Sequence, residues 1–398
     1  MKPKIVRSIL HARRAALGSM FVAAFGLAGL AHGQTFNAGS DGNLGDVIIT
    51  ASTNLDLPPS GKLHFRSLNV NSGATLGFNR NARNTPVFIL AQTEVVVNGT
   101  INVDGGGRPL NSGGRGGPGG FDGGKPGFGA ESLPGGGYGP GAGNAGTLNN
   151  CSIADNPQGG SFGTLGIGAP GGRTYGNTFL IPLVGGSGGG GSQGSLMGGG
   201  GGGGAVLIAA NSRIAINGTI LARGGFGGSC NNYGSGGSIR IVSFKVEGSG
   251  AMDTSGGSTP NRGFSTSDGV GRIRVDTVVR TGVAFNMTGV STIGANLLVL
   301  PPTVPTLNVL QAAGNPVALD SDPVGFTLPF GSNTNQIVRV QAKDFGRLVP
   351  IRVTLTPDAG DKRVFDVEID NAAANPATLD IPVTVPINTL VTIHCWTR

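Results

Sequence analysis

Apolar and polar positions alternate in short runs along most of the chain, and the runs recur. Residues 68–76, 95–103, 214–222 and 246–254 each read as two short alternating segments joined at a glycine, Gly73, Gly99, Gly218 or Gly250. Period-two alternation interrupted by a turn residue is the pattern of paired short strands. A further β-branched run precedes the last three copies, at residues 87–91, 206–210 and 239–243, and a final one follows at 272–276. Three short strands per repeat with tight corners predict the rung of a right-handed parallel β-helix, a β-solenoid whose equivalent corners stack.

The corner spacing locates what lies between the rungs. Gly73 to Gly99 is 26 residues and Gly218 to Gly250 is 32, each fitting one rung; Gly99 to Gly218 is 119, a rung with about 90 residues added. The addition leaves after Asp104 and returns at Ala205, so a Gly-rich insertion is expected at about 105–204. Smaller Gly-rich loops leave after Arg223 and near Ser255, which places all the excursions on one side of the stack. Residues 34–59 read as a lead-in and residues 283–300 as a cap over the open end. After a stiff linker at 301–305, alternating runs at 337–341, 351–355, 364–369, 379–385 and 390–396 predict a C-terminal immunoglobulin-like β-sandwich over 306–398. The expected class is therefore all-β.

Composition sharpens the middle of this picture. Fourteen of the twenty residues at 185–204 are glycine, and the run passes without a break into the apolar stretch 205–210. Ordering such a segment costs roughly 1 to 2 kcal/mol per residue, and each backbone hydrogen bond returns only about 0.5 to 1.5 kcal/mol. Two readings stay open: a mobile Gly/Ser linker, or extended polyproline II-type segments packed side by side, with glycine wherever a Cβ would hold neighbours apart. Aromatic residues within the excursions favour order. Phe162 and Phe179 are among them, and Phe121, Phe128, Tyr138, Tyr175, Phe226 and Tyr233 are the candidate surface contacts.

The formal charge of +7 overstates the field, since five of the 28 basic residues precede the apolar segment 15–30. That layout predicts a signal peptide over residues 1–33, with twin-arginine export at Arg13 and Arg14 as the alternative route. A mature chain with 23 basic and 21 acidic residues offers no nucleic-acid-binding field. Export to a cell surface, the extracellular space or the periplasm permits disulfides, and Cys151 with Cys230 is the candidate pair, leaving Cys395 as a small core residue of the last strand.

Candidate chemistry is sparse. His64 and His394 lie at opposite ends of the mature chain and read as structural. No His/Cys spacing suggests zinc, and the segment 41–46, with Asp41, Asn43 and Asp46, resembles only half of a calcium loop. Asp104, Arg223, Arg240, Glu247, Asp253, Arg272 and Arg274 fall at scattered positions that read as a solvated face. Asn98, Asn217 and Asn286 stand in glycosylation sequons, the first two explained by corner turns. No catalytic, metal or cofactor site is assigned.

The rung pattern around Asn98-Gly99-Thr100 and Asn217-Gly218-Thr219 resembles the pectate-lyase-like parallel β-helix superfamily, and still more the Gly-rich secreted β-solenoid proteins of bacteria. The excursions are similar to the polyglycine II bundles of phage tail adhesins and glycine-rich antifreeze proteins. These resemblances imply a fold and transfer no functional residue. The functional expectation is an exported binding or structural protein, adhesin-like or a matrix component, displaying a Gly-rich face to a surface, glycan or protein partner. Alternatives are a polysaccharide lyase or hydrolase on the β-helix, and an ice-binding polyglycine II surface.

Overall fold

The alternating runs do form strands, and almost every one pairs with its counterpart in a neighbouring repeat. A computed structural model describes residues 36–107, 111–128, 132–146, 157–168, 173–193, 197–228, 232–258, 269–280, 282–318 and 324–398. The first repeats give β1 (Asp46–Ile49), β2 (Thr53–Asp56), β3 (Lys62–Phe65), β4 (Ser67–Val70), β5 (Thr75–Asn79), β6 (Val87–Ala91), β7 (Glu94–Val97) and β8 (Thr100–Asn102). After the long insertion come β9 (Ala205–Ile216), β10 (Thr219–Leu221), β11 (Ser238–Glu247), β12 (Ala251–Asp253), β13 (Arg272–Asp276), β14 (Asn286–Thr288) and β15 (Val290–Gly294). Among the described residues every regular element is a strand, and no helix is long and apolar enough to cross a membrane.

These fifteen strands make two all-parallel sheets. One runs β1-β4-β7-β9-β11-β13-β15, with β3 and β6 alongside; the other runs β14-β12-β10-β8-β5-β2. Register follows the repeats: Leu68 pairs Val95, Val95 pairs Ile214, and Ile214 pairs Val246. In the second sheet Leu76, Ile101, Ile220, Met252 and Met287 stand in one ladder. A one-residue slip would turn these side chains out of the common core they fill. Gly218 and Gly250 continue the corner above Gly99, whereas the position level with Gly99 in the preceding repeat is Ala74, not Gly73. Gly73 instead takes the turn itself, at φ 80°.

Two segments differ from expectation. The lead-in carries β1 and β2, and residues 283–300 extend both sheets through β14 and β15 before they cover anything. The run 205–210 lacks alternation because both its faces are buried. Val206 and Ile208 point into the core between the sheets, while Leu207 and Ala209 join a second cluster with Leu90, Val242, Ala38 and Val299.

The C-terminal strands are β16 (Thr306–Ala312), β17 (Asn315–Pro316), β18 (Val324–Thr327), β19 (Asn335–Lys343), β20 (Leu348–Pro357), β21 (Arg363–Asp370), β22 (Ala377–Thr384) and β23 (Leu390–Thr397). They form two four-stranded antiparallel sheets, β17-β16-β19-β22 and β18-β23-β20-β21, around one apolar core. Cys395 packs against that core, and burial pushes its thiol pKa upward.

The Gly-rich stretches are ordered against one another. Gly199 and Gly202 donate to the carbonyls of Gly124 and Phe121; Gly200 and Gly203 donate to those of Asn232 and Ser235; Gly201 and Gly204 donate to those of Gly106 and Val103. In the other direction Gly199 and Gly202 accept from Gly114 and Gly117, Gly200 and Gly203 accept from Gly189 and Gly186, and Gly201 accepts from Gly225. Bonding direction therefore repeats every third residue, and the segment 199–204 is tied to six surrounding stretches, some parallel to it and some antiparallel. Glycines 185, 186, 188–191 and 198–204 are all buried. The segment 199–204 is thus enclosed rather than displayed, because its backbone groups are bonded to neighbours in six directions.

Candidate functional site

One flank of the glycine bundle rests on the outer face of β20 and β23. Along these strands alternate side chains enter the apolar core, and the others, Arg352, Thr354, Thr392 and His394, turn toward the bundle. Gly135 bridges Gly360, and the Gly360 N–H donates to the Pro134 carbonyl over 3.2 Å. The Phe121 ring stands edge-on to His394 and Trp396, with centroids 5.8 and 6.3 Å away, and the Tyr138 ring lies 5.9 Å from His394.

Two clefts open along this seam. The larger, about 330 Å³, is lined by Arg80, Phe121, Asp122, Lys125, Tyr138, Asp358, Leu390 and His394, among others. Its charged groups are placed by the bundle. Arg80, from the loop after β5, donates to Asp122 Oδ1 at 2.5 Å and to the Gly116 carbonyl at 3.2 Å, while the Gly116 N–H also donates to that carboxylate. Asn84 bonds both Gly119 and Gly120. Across the cleft Asp358 pairs with Lys125 and accepts from the Tyr138 hydroxyl at 3.2 Å. Two carboxylates, each with a cation partner, therefore stand beside ring edges in an open cleft, which suits hydrogen-bonding a polar ligand that also offers C–H surface.

The smaller cleft, about 150 Å³, lies between residues 139–144 and the strands β20 and β21. Lys362 reaches into it, its ammonium donating to the Ala142 carbonyl at 2.5 Å. Burial, and after it the Arg352 charge, pushes the Lys362 pKa down to about 8.

The expected contact residues scatter. Of the six, only Phe128 is well exposed, at 44%; Phe179, outside that set, is exposed as well. Phe121 and Tyr138 belong to the seam, and Phe226 is half-buried. Tyr175 stacks on Phe162 at 4.4 Å, donates its hydroxyl to the Gly185 carbonyl and accepts from Ser187. Tyr233 is a correction: at 7% exposed, closed in between Gly-rich stretches, it has no surface to offer. Cys151 and Cys230, the candidate disulfide, lie outside the described residues.

The charges read as scattered also need correcting. Asp104 and Arg223 occupy equivalent corner positions, and the guanidinium donates to the carboxylate at 2.7 and 3.1 Å where the insertion departs. Arg213 bridges Glu94 and Glu247 across neighbouring strands. Arg240 and Arg274 are buried, at 1% and 8% exposed, so they are no solvated face. Asp46 pairs with Arg66 and accepts from Ser67, which occupies the last carboxylate of the half calcium loop. Among the described residues no three His, Cys, Asp or Glu side chains gather as a metal set.

Sequence reasoning passed over Arg80, Lys125 and Lys362, and gave Asp122 and Asp358 no part in a seam between distant segments. The only available signal was that Asp122 and Lys125 are charged residues in a stretch where almost every neighbour is glycine.

The seam gives stability a definite pH profile. An unfolded lysine titrates near 10.5, so between pH 8 and 10.5 the unfolded chain binds more protons than the folded one, and Lys362 makes stability rise with pH by up to about 3 kcal/mol. Tyr138 and Tyr175 act oppositely. Burial raises their pKa values above the ordinary 10.0, Asp358 adding to the effect at Tyr138, so above pH 10 the unfolded chain sheds protons that the folded chain keeps. Burial raises the Cys395 thiol too, which offsets the Lys362 gain above about pH 9, so thermal melts should rise from pH 8 to about 9, flatten, and fall beyond 10, with Lys362→Met removing the rise. A wild-type melt already falling between pH 8 and 9 would contradict this assignment.

Comparison with protein-family models, with curated proteins and with solved structures returns no match.

Proposed function

We propose that the chain is an exported binding protein of the cell surface or extracellular space, which takes a glycan segment in the larger cleft of the seam. In this reading the two parallel sheets are faces of a right-handed parallel β-helix, the C-terminal sheets are an immunoglobulin-like sandwich, and the glycine stretches are a polyglycine II-type bundle joining them. The repeat-to-repeat register supports the first, the shared core supports the second, and the three-residue bonding period, matching three residues per turn, supports the third. Export is supported by the basic and apolar layout of residues 1–33.

The observation that carries the reading is the larger cleft itself. It sets the Phe121, Tyr138 and His394 rings beside Asp122, Asp358 and Asn84. Ring edges with acceptors and an amide are the groups that hold sugar C–H and hydroxyl surfaces together. The bundle then acts as the rigid support that fixes these side chains. An ice-binding face would need a broad glycine surface, and glycines 185, 186, 188–191 and 198–204 are buried.

A glycan screen of the mature protein tests this directly, with Leu390→Trp as the blocked variant. Leu390 lines the cleft and is 42% exposed, so an indole there fills the space without breaking a core contact. Binding should fall at least about tenfold with the melting temperature unchanged. Retained binding in Leu390→Trp, or no glycan bound by wild type, would remove the glycan assignment; product release from a bound polysaccharide would favour the lyase or hydrolase reading.

A further inference from the structure

We propose that the smaller cleft is an anion site, in which Lys362, Arg352 and Arg173 receive a carboxylate or sulfate group. The inference is independent of the glycan reading, since the two clefts share no lining residue.

The lining is one-sided in charge. Three cationic side chains border the cleft, its remaining described lining is glycine, proline, alanine, valine, threonine and two amides, and no carboxylate is among them. Arg352 has a partner behind the wall: it donates to Asp366 at 2.6 and 2.7 Å, and Asp366 also meets Arg398 at 3.3 Å. That single aspartate also feels the Arg173 charge, so one carboxylate is shared among three arginines, and among the described residues Lys362 has no carboxylate partner.

Lys362 is the telling residue. An ammonium has three donors, and its hydrogen bond here goes to a neutral carbonyl, that of Ala142. A buried cation with no anion is costly. Its depressed pKa is the consequence expected of that situation, with burial the leading cause and the Arg352 charge second. Asn144 and Gln158 add amide groups on the bundle side, able to donate to an oxyanion. The 150 Å³ of space equals about five water volumes, enough for one acetate or sulfate with residual water. Such a group would supply the missing counter-charge and accept from Lys362 and Arg173 at once.

The test uses the full mature chain labelled with ¹³C at lysine. Acetate, sulfate and phosphate are titrated separately against chloride at constant ionic strength, and the Lys362 ε-methylene signal is followed, assigned by its loss in Lys362→Met. The expected result is a saturable shift of that signal with one anion at millimolar concentration, and a Lys362 titration midpoint raised by about one pH unit or more, as an added neighbouring negative charge requires. Arg173→Ala should weaken the response severalfold; Arg173 is exposed, so this variant keeps the proposal testable if Lys362→Met fails to fold. The chemistry is settled by the arms: response to acetate and not sulfate marks a carboxylate site, and the converse marks a sulfate site. A Lys362 signal that moves no more than those of Lys62, Lys125, Lys245 and Lys343, or an unchanged response in Arg173→Ala, overturns the proposal.

Discussion

Gly199→Ala should destabilise the protein by more than about 3 kcal/mol, whereas Gly136→Ala and Gly107→Ala, in the same Gly-rich region, should cost less than about 1 kcal/mol. A Cβ built on Gly199 would overlap the Gly189 carbonyl, far inside the 3.0 Å that Cβ atoms keep, and the atoms in the way are backbone. A carbonyl held by its own bonds cannot turn aside as a side-chain end does, so the bundle must dilate. Gly199 N–H bonds Gly124 and its carbonyl accepts from Gly114, so dilation strains both at once. At Gly136 the nearest atoms are the Gly143 carbonyl oxygen at 3.6 Å and Lys362 Cδ at 3.9 Å; at Gly107 the Phe226 Cβ is 3.7 Å away. There an alanine fits. Replacing glycine also narrows the unfolded ensemble, a gain of about 0.4 to 1 kcal/mol that leaves these two near neutral. Denaturant midpoints of the three variants decide the matter. Equal effects at all three positions would mean that the segment tolerates side chains and is not closely packed.

That contrast also explains what could be read from the amino-acid pattern and what could not. The strands at Leu68, Val95, Ile214 and Val246 declared their register, because each inward apolar position must meet another and a slip exposes all of them. The place where the insertion leaves and returns was equally legible from the corner spacing. Which glycine stretch lies beside which was not: a residue without a side chain carries no mark of its neighbour, and the three-residue bonding period leaves no trace in a run that is glycine at every position. The last repeat, β14 and β15, was hidden because its strands are half-exposed at the end of the stack and rich in Thr and Asn. The seam was invisible for a different reason. Tyr138 and Asp358 are 220 residues apart, and the polar outer faces of β20 and β23 look like ordinary solvent-facing positions until the bundle closes over them.

Asp276→Ala should be as damaging as Gly199→Ala, at about 3 to 5 kcal/mol, because it strands two buried cations. Asp276 is fully buried, and its Oδ1 accepts from Arg274 at 2.6 and 3.0 Å and from the Asn296 N–H at 3.0 Å. Arg240, 1% exposed, lies 3.8 Å from Oδ2 and donates to the carbonyls of Leu298 and Val299. Burial pushes the Arg240 guanidinium down to about 10; Asp276 opposes that shift and Arg274 adds to it. Removing the carboxylate therefore leaves the unfavourable contributions and deletes the favourable one. Arg240→Met should cost less, under about 2 kcal/mol: its apolar stem is conserved, Asp276 keeps Arg274, and only the Leu298 and Val299 carbonyls lose donors. The double variant Asp276→Ala with Arg240→Met should then be more stable than Asp276→Ala alone, since the stranded cation is gone. Hydrogen exchange localises the effects: residues 297–300 should lose protection in Arg240→Met, because Arg240 ties that segment over the outer face of β11, and the Asn296 N–H should lose it in Asp276→Ala, where its acceptor is gone. If the double variant is instead the sum of the two singles, the cluster is not acting as a coupled unit, and the segment is held by Leu297, Val299 and Leu300 packing alone.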